Sequence, residues 1–149
     1  MKIVTIDASV AASWLLPRQR TASADAFLQD DAARLLIAPD IFAWEIGNLL
    51  ARNARRNVEA AAEYLRDLAA LDIRITAPRD HESVLGLVDF AAKQDLSLFD
   101  AAYLFLCLER GAALASRDGR LIDAARDFGE LRISFGGKGP DLGVNSHEL

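Results

Sequence analysis

One cysteine (Cys107), two histidines (His81 and His147) and three lysines (Lys2, Lys93 and Lys138) are all that a chain of 149 residues holds of these types. A single thiol closes no internal disulfide, and this set completes no structural zinc motif. Cys107 lies in the apolar run 104–108 with no histidine beside it, which reads as a small buried hydrophobe rather than a nucleophile. His81 opens a predicted helix and His147 lies in a polar tail, so neither joins a catalytic triad. No stretch approaches ~20 uninterrupted apolar residues, which argues against a membrane span. The apolar start is short and interrupted by Asp7, with no small-residue cleavage site after it; a cytoplasmic protein is the expectation. There is no phosphate-binding Gly-x-x-x-x-Gly-Lys-Ser/Thr loop, and 136–140 imitates one poorly. A Gly-x-Ser-x-Gly elbow is missing as well. Asp7-Ala8-Ser9 lacks the Asp-x-Asp of haloacid-dehalogenase phosphatases, and none of the three lysines suits a receiver domain.

What is present suits one folded domain. Hydrophobic residues make up 52% and charged residues 26%, enough apolar material for a real core. β-branched residues at 2–6 predict a buried strand. Helices are expected over 9–16, ending at Pro17, and over 21–30. A strand over 34–38 is closed by Pro39, and Asp40 caps a long helix through Arg55. A helix over 58–71, a strand over 73–76 and a helix over 81–94 follow. Ser97 starts the most apolar helix, 98–110, and Gly111 is placed to end it in a left-handed turn. A strand over 112–115, a helix over 119–128 and a strand over 131–135 complete the domain. Strands alternating with helices predict an α/β fold: three layers, α/β/α, around a mostly parallel sheet of four to five strands. The domain is expected to span 1–135, with 136–149 as a flexible tail.

The net charge of −5 disfavours a polyanionic partner at first sight. If four carboxylates hold divalent metal, however, the rest of the chain carries only −1, and the metal draws phosphate. Arg18, Arg20, Arg52, Arg55, Arg56, Arg117 and Arg120 could then form a basic rim, or could simply be solvated helix faces. In an open α/β sheet, chemistry gathers beyond the C-terminal strand ends. Asp7 ends the first strand and Asp118 follows the 112–115 strand, yet each also suits a helix N-cap. Asp100 is the acid of a Ser97 capping box. Glu45 borders an apolar stripe set by Ile41 and Leu49, so it needs a partner, for which Arg52 is one option. Taken singly, each acid fits either role. Together they have a chemical rationale, since Mg²⁺ prefers oxygen ligands and paired metals can activate water at a phosphodiester.

The wording around the acids carries more. The segments 6–10 (Ile-Asp-Ala-Ser-Val), 45–50, 96–104 and 114–121 (Leu-Ala-Ser-Arg-Asp-Gly-Arg-Leu) resemble PIN-domain proteins in order and spacing, over about residues 1–135. The nearest likeness is to the toxin of bacterial VapBC toxin–antitoxin pairs. The resemblance implies a Mg²⁺-dependent endoribonuclease, with Mn²⁺ as a substitute, cutting structured transfer or ribosomal RNA. It implies Asp7, Glu45, Asp100 and Asp118 as catalytic metal ligands, with Ser9, Asn48 and Ser116 supporting them. It also implies a homodimer within a larger assembly, and a small VapB-like antitoxin lying in a groove near Trp14, Leu15, Leu16, Phe42 and Trp44. Trp14 is the foremost of these, and an antitoxin arginine would reach the acids. The alternative is a non-catalytic PIN-like module that binds protein or RNA; a degenerate module would be expected to have lost acids, and this chain keeps four.

Overall fold

The computed structural model describes residues 1–30 and 32–128. Four parallel strands form its sheet: β1 (Lys2–Ile6), β2 (Arg34–Pro39), β3 (Arg74–Thr76) and β4 (Ala113–Ala115), in the spatial order β3-β2-β1-β4. The described helices are α1 (Ala8–Leu15), α2 (Ala22–Gln29), α3 (Ile41–Ala54), α4 (Val58–Ala70), α5 (His81–Lys93), α6 (Leu98–Arg110) and α7 (Gly119–Arg126). They flank the sheet in the expected three-layer α/β/α arrangement, as a parallel sheet requires when every connection is a crossover.

β1 occupies the middle because its alternation buries completely: Val4 and Ile6 have no exposure. Val4 pairs with Leu36 on one side and Ala113 on the other, and Ile6 stands level with Ala115. The next residues, Asp7 and Ser116, therefore leave the sheet side by side. The Asp7 N–H donates to the Ala115 carbonyl at 3.1 Å, carrying the ladder one step past the strand. Phe42, Ile46 and Leu50 recur every fourth residue along α3 and enter the core. Cys107 is buried in α6, and burial pushes its thiol up to about 11 despite a Thr5 hydrogen bond, as an inert hydrophobe requires.

Pro17 does end the first helix, and then opens a short 3₁₀ turn, Pro17–Gln19, which the sequence reading omits. Proline suits that first position because its missing N–H has no helical acceptor. Gly111 closes α6 in the left-handed region, at φ 59°. Asp72 and Asp95 take the same conformation after α4 and α5, with no glycine to announce it. Among the described residues no helix is long and apolar enough to cross a membrane. The strand expected at 131–135 and the tail at 136–149 lie outside the described residues.

Candidate active site

Asp7 is buried and caps α1. Its Oδ1 accepts the Val10 N–H at 3.0 Å and the Ser9 hydroxyl at 2.6 Å, while its Oδ2 accepts the Ser116 hydroxyl. Each serine donates to Asp7 and accepts from the β4–α7 loop. Ser9 Oγ takes the Arg117 N–H at 2.9 Å, and Ser116 Oγ takes the Asp118 N–H at 2.9 Å. A hydroxyl has one proton to give, so this pattern fixes both rotors and locks the two strand-end loops to one carboxylate. Asp118 then caps α7, accepting the Arg120 N–H at 3.0 Å.

The other two acids arrive on helix walls. Glu45 is half-buried on α3, as expected of a residue at the border of the apolar stripe. Its hydrogen-bond partner is the buried Tyr103, whose hydroxyl lies 3.4 Å from Oε1, rather than Arg52, which is exposed. Asp100 lies in the first turn of α6, where its own N–H donates to Ser97 Oγ at 3.1 Å. Its carboxylate faces Arg120, with Nη2 at 3.6 Å from Oδ2. The cap therefore forms while the acid group looks into the site. Capping and clustering are compatible at Asp7, Asp100 and Asp118 alike.

Burial and mutual repulsion act together on these acids. Burial raises Asp7 from 3.8 to about 6 against the pull of its three hydrogen bonds, and the charge of Asp118 adds to the rise. Glu45 rises from 4.5 to about 7, through burial first and then through the charges of Asp7, Asp100 and Asp118, opposed by Tyr103. Asp100 is raised by burial and by Asp118, with Arg120 opposing. Like charges in a partly dry cleft are uncomfortable without a cation. Among the described residues no group of three or more Asp, Glu, His or Cys side chains stands arranged to hold a metal ion. Mg²⁺ does not ask for one, because it keeps several waters and takes one or two carboxylates. Oδ2 of Asp7, with Ser116 as its one donor, keeps a lone pair beyond its hydrogen bond, whereas Oδ1 spends both on Ser9 and Val10. The donor set, all hard oxygen with several acids, fits a divalent cation of that kind.

Two expectations need correction. Arg117 belongs to no exposed rim: it has no exposure, and its guanidinium donates to the Gln19 carbonyl at 3.2 Å, tying the site loop to the 3₁₀ turn. Arg18, Arg20, Arg52, Arg55, Arg56 and Arg120 are exposed. Four of the five groove residues are interior or packed against it: Leu15, Leu16 and Phe42 are core, and Trp14 stacks on Phe27 while its Nε1 donates to the Ala24 carbonyl at 2.9 Å. Trp44 alone stands out, 77% exposed and adjacent in sequence to Glu45. Asn48 is exposed on α3, and no described hydrogen bond joins it to the acids. Tyr103 was missed, although its position three residues after Asp100 puts it on the same helix face.

A PIN-domain family model matches residues 4–127. No curated protein sequence matches the chain. Among solved structures, the sarcin–ricin-loop-cleaving toxin VapC20 of Mycobacterium tuberculosis is similar at 17% identity and a TM-score of 0.61, covering 81% of this chain and 94% of that one. PAE2754 from Pyrobaculum aerophilum is similar at 18% identity and a TM-score of 0.55, covering 83% of this chain and 79% of that one.

Proposed function

The chain belongs to the PIN-domain family, and from that premise we propose that it is a Mg²⁺-dependent endoribonuclease of the VapC toxin type, acting on structured RNA such as transfer or ribosomal RNA. The observation that supports this reading is that Asp7, Glu45 and Asp100, from three separate segments, all have raised carboxyls, through burial first and then through the charges of other acids of the set, Asp118 acting on each of them. A merely structural set of caps would have no reason to converge on a half-buried glutamate from the middle of a helix.

In this reading Asp7 is the fixed anchor, its rotamer set by Ser9, Val10 and Ser116. Asp118 is held beside it by Ser116, which accepts its N–H, and by the cap of α7. Glu45 and Asp100 form the opposing walls, and Tyr103 orients Glu45 through Oε1. A divalent cation bound among these oxygens would supply water activation and charge neutralisation at the phosphodiester. The uncut phosphate backbone is drawn in once the acids are neutralised, with exposed arginines contributing to the rim.

A small antitoxin is the expected partner, and Trp44 is its natural anchor: an exposed tryptophan next to a site acid invites an apolar segment whose arginine could reach the carboxylates. A homodimer is the expected assembly, and the exposed face of α5 with Val84, Leu85 and Val88 is the apolar surface it would cover. Light scattering showing only monomer at high concentration would count against the dimer.

Calorimetric titration with Mg²⁺ and Mn²⁺, beside mapping of cut sites in total RNA after brief expression, tests the whole reading. Heat and discrete cuts are expected. No heat and no cuts would leave the alternative, a binding module without catalysis.

A further inference from the structure

Arg120 stands two residues after Asp118 in the first turn of α7, and its guanidinium reaches across to Asp100 at 3.6 Å. The pair is open to water, with the arginine side chain 82% exposed and the aspartate side chain 20%. Ion pairs this exposed contribute little to stability and yield readily to a better partner. Among the described residues Asp100 is the ion-pair partner of this guanidinium, while the Arg120 backbone N–H serves the Asp118 cap.

Two consequences follow from that placement. A divalent cation held by Asp100 would compete with the guanidinium for that carboxylate and would free Arg120. The released side chain is then a long, planar, permanently charged fork beside the place where a phosphodiester must lie, a shape that pairs with phosphate oxygens through two parallel hydrogen bonds. Resting on the nuclease reading above, we propose that Arg120 is a substrate-binding residue that grips a phosphate of the RNA backbone at the site, and that in the metal-free protein it is parked on Asp100. The grip is sequence-independent, since it addresses phosphate and not a base. Arg120 is thus a counter-ion in one state and a substrate contact in the other.

The test compares the natural protein with Arg120→Gln and Arg120→Lys, using a short labelled RNA hairpin with Ca²⁺ in place of Mg²⁺, intact RNA being checked on a gel from the same samples. Arg120→Gln should weaken hairpin binding several-fold and lower the slope of log Kd against log salt by about one, the loss of a single phosphate contact. Arg120→Lys should keep the slope and recover part of the affinity, because the charge survives and the fork does not. Mn²⁺ binding to Arg120→Gln, followed by calorimetry without RNA, should be equal or tighter, since a competing cation has gone. Unchanged affinity and salt slope in Arg120→Gln would overturn the proposal. So would weakened Mn²⁺ binding, which would make Arg120 a prop of the acid site instead. If the natural protein binds the hairpin in Ca²⁺ and cuts it in a parallel Mg²⁺ sample, and Arg120→Gln does both equally well, Arg120 alone is removed. A natural protein that neither binds the hairpin in Ca²⁺ nor cuts it in Mg²⁺ takes down the nuclease reading and this proposal with it.

Discussion

The carboxylate of Asp7 gives one oxygen to the start of α1 and the other to Ser116, while the cost of its burial shows in a carboxyl raised to about 6. Asparagine at this position keeps an acceptor for the Val10 N–H, so the cap survives. What disappears is a buried charge repelled by Asp118. Asp7→Asn is therefore expected to melt no lower than the natural protein in EDTA at pH 8, and higher by ~2–5 °C if repulsion dominates. RNA cleavage should fall more than ~100-fold. A variant that melts much lower yet still cleaves would reduce Asp7 to a helix cap. Tyr103 allows a finer test. Its hydrogen bond holds Glu45 below the value that burial and the neighbouring acids would otherwise set. Tyr103→Phe should move the Glu45 titration, followed by carboxyl carbon NMR on metal-free protein, upward from about 7. Stability should change by only ~1 kcal/mol, as befits one hydrogen bond at 3.4 Å. A Glu45 titration that stays put would show that Tyr103 does not govern it.

At the scale of elements, α6 shows how a helix end can be read and tested. Gly111 takes φ 59°, and a Cβ built there meets nothing within 4 Å. Gly111→Ala should thus cost ~1 kcal/mol from the left-handed backbone alone, with no clash to add. Chemical denaturation would measure it, and cleavage should be unaffected; a cost several times larger would mean that the turn supports more than its own geometry. Elements with strong local signals were legible in the sequence for this kind of reason. β1, α3, α5 and α6 fall within a residue or two of their expected limits, because periodicity, caps and Gly111 all agree. The left-handed turns at Asp72 and Asp95 carried no such signal. The facing of Trp44 was in fact readable. It stands two positions after Phe42, which turns it to the far side of a helix whose buried stripe runs through Phe42, Ile46 and Leu50. Arg117 was not readable, since a loop residue has no period and its burial depends on Gln19, 98 positions away in sequence. The four acids were found because their surroundings resemble a family, whereas Tyr103, which only adjusts one of them, has no motif of its own.

For the molecule as a whole, the raised carboxyls set a relation between pH, stability and metal. Asp7 moves from 3.8 to about 6 and Glu45 from 4.5 to about 7 on folding, and Asp100 shifts in the same direction. A raised acid holds its proton more tightly in the folded chain than in the unfolded one. Between about pH 4 and pH 7 the native state therefore binds more protons, and the slope of unfolding free energy against pH is negative there. The stability these groups contribute is full below their unfolded values and is lost as pH climbs through their folded ones. Metal acts in the opposite direction, because it binds the ionised carboxylates and displaces protons as it does so. Its stabilisation follows the affinity of the native state, and that affinity grows as the acids ionise. In EDTA the melting temperature should accordingly fall from pH 5 to pH 8, while saturating Mn²⁺ should raise it slightly at pH 5 and strongly at pH 8. In Asp7→Asn the EDTA curve should flatten, since one of the two largest proton sinks is gone, and the Mn²⁺ gain at pH 8 should shrink with it. A natural protein whose melting temperature climbs steadily through this range in EDTA, or whose response to Mn²⁺ is the same at both ends, would show that the acids are not strained against one another and that no cation is needed to hold them.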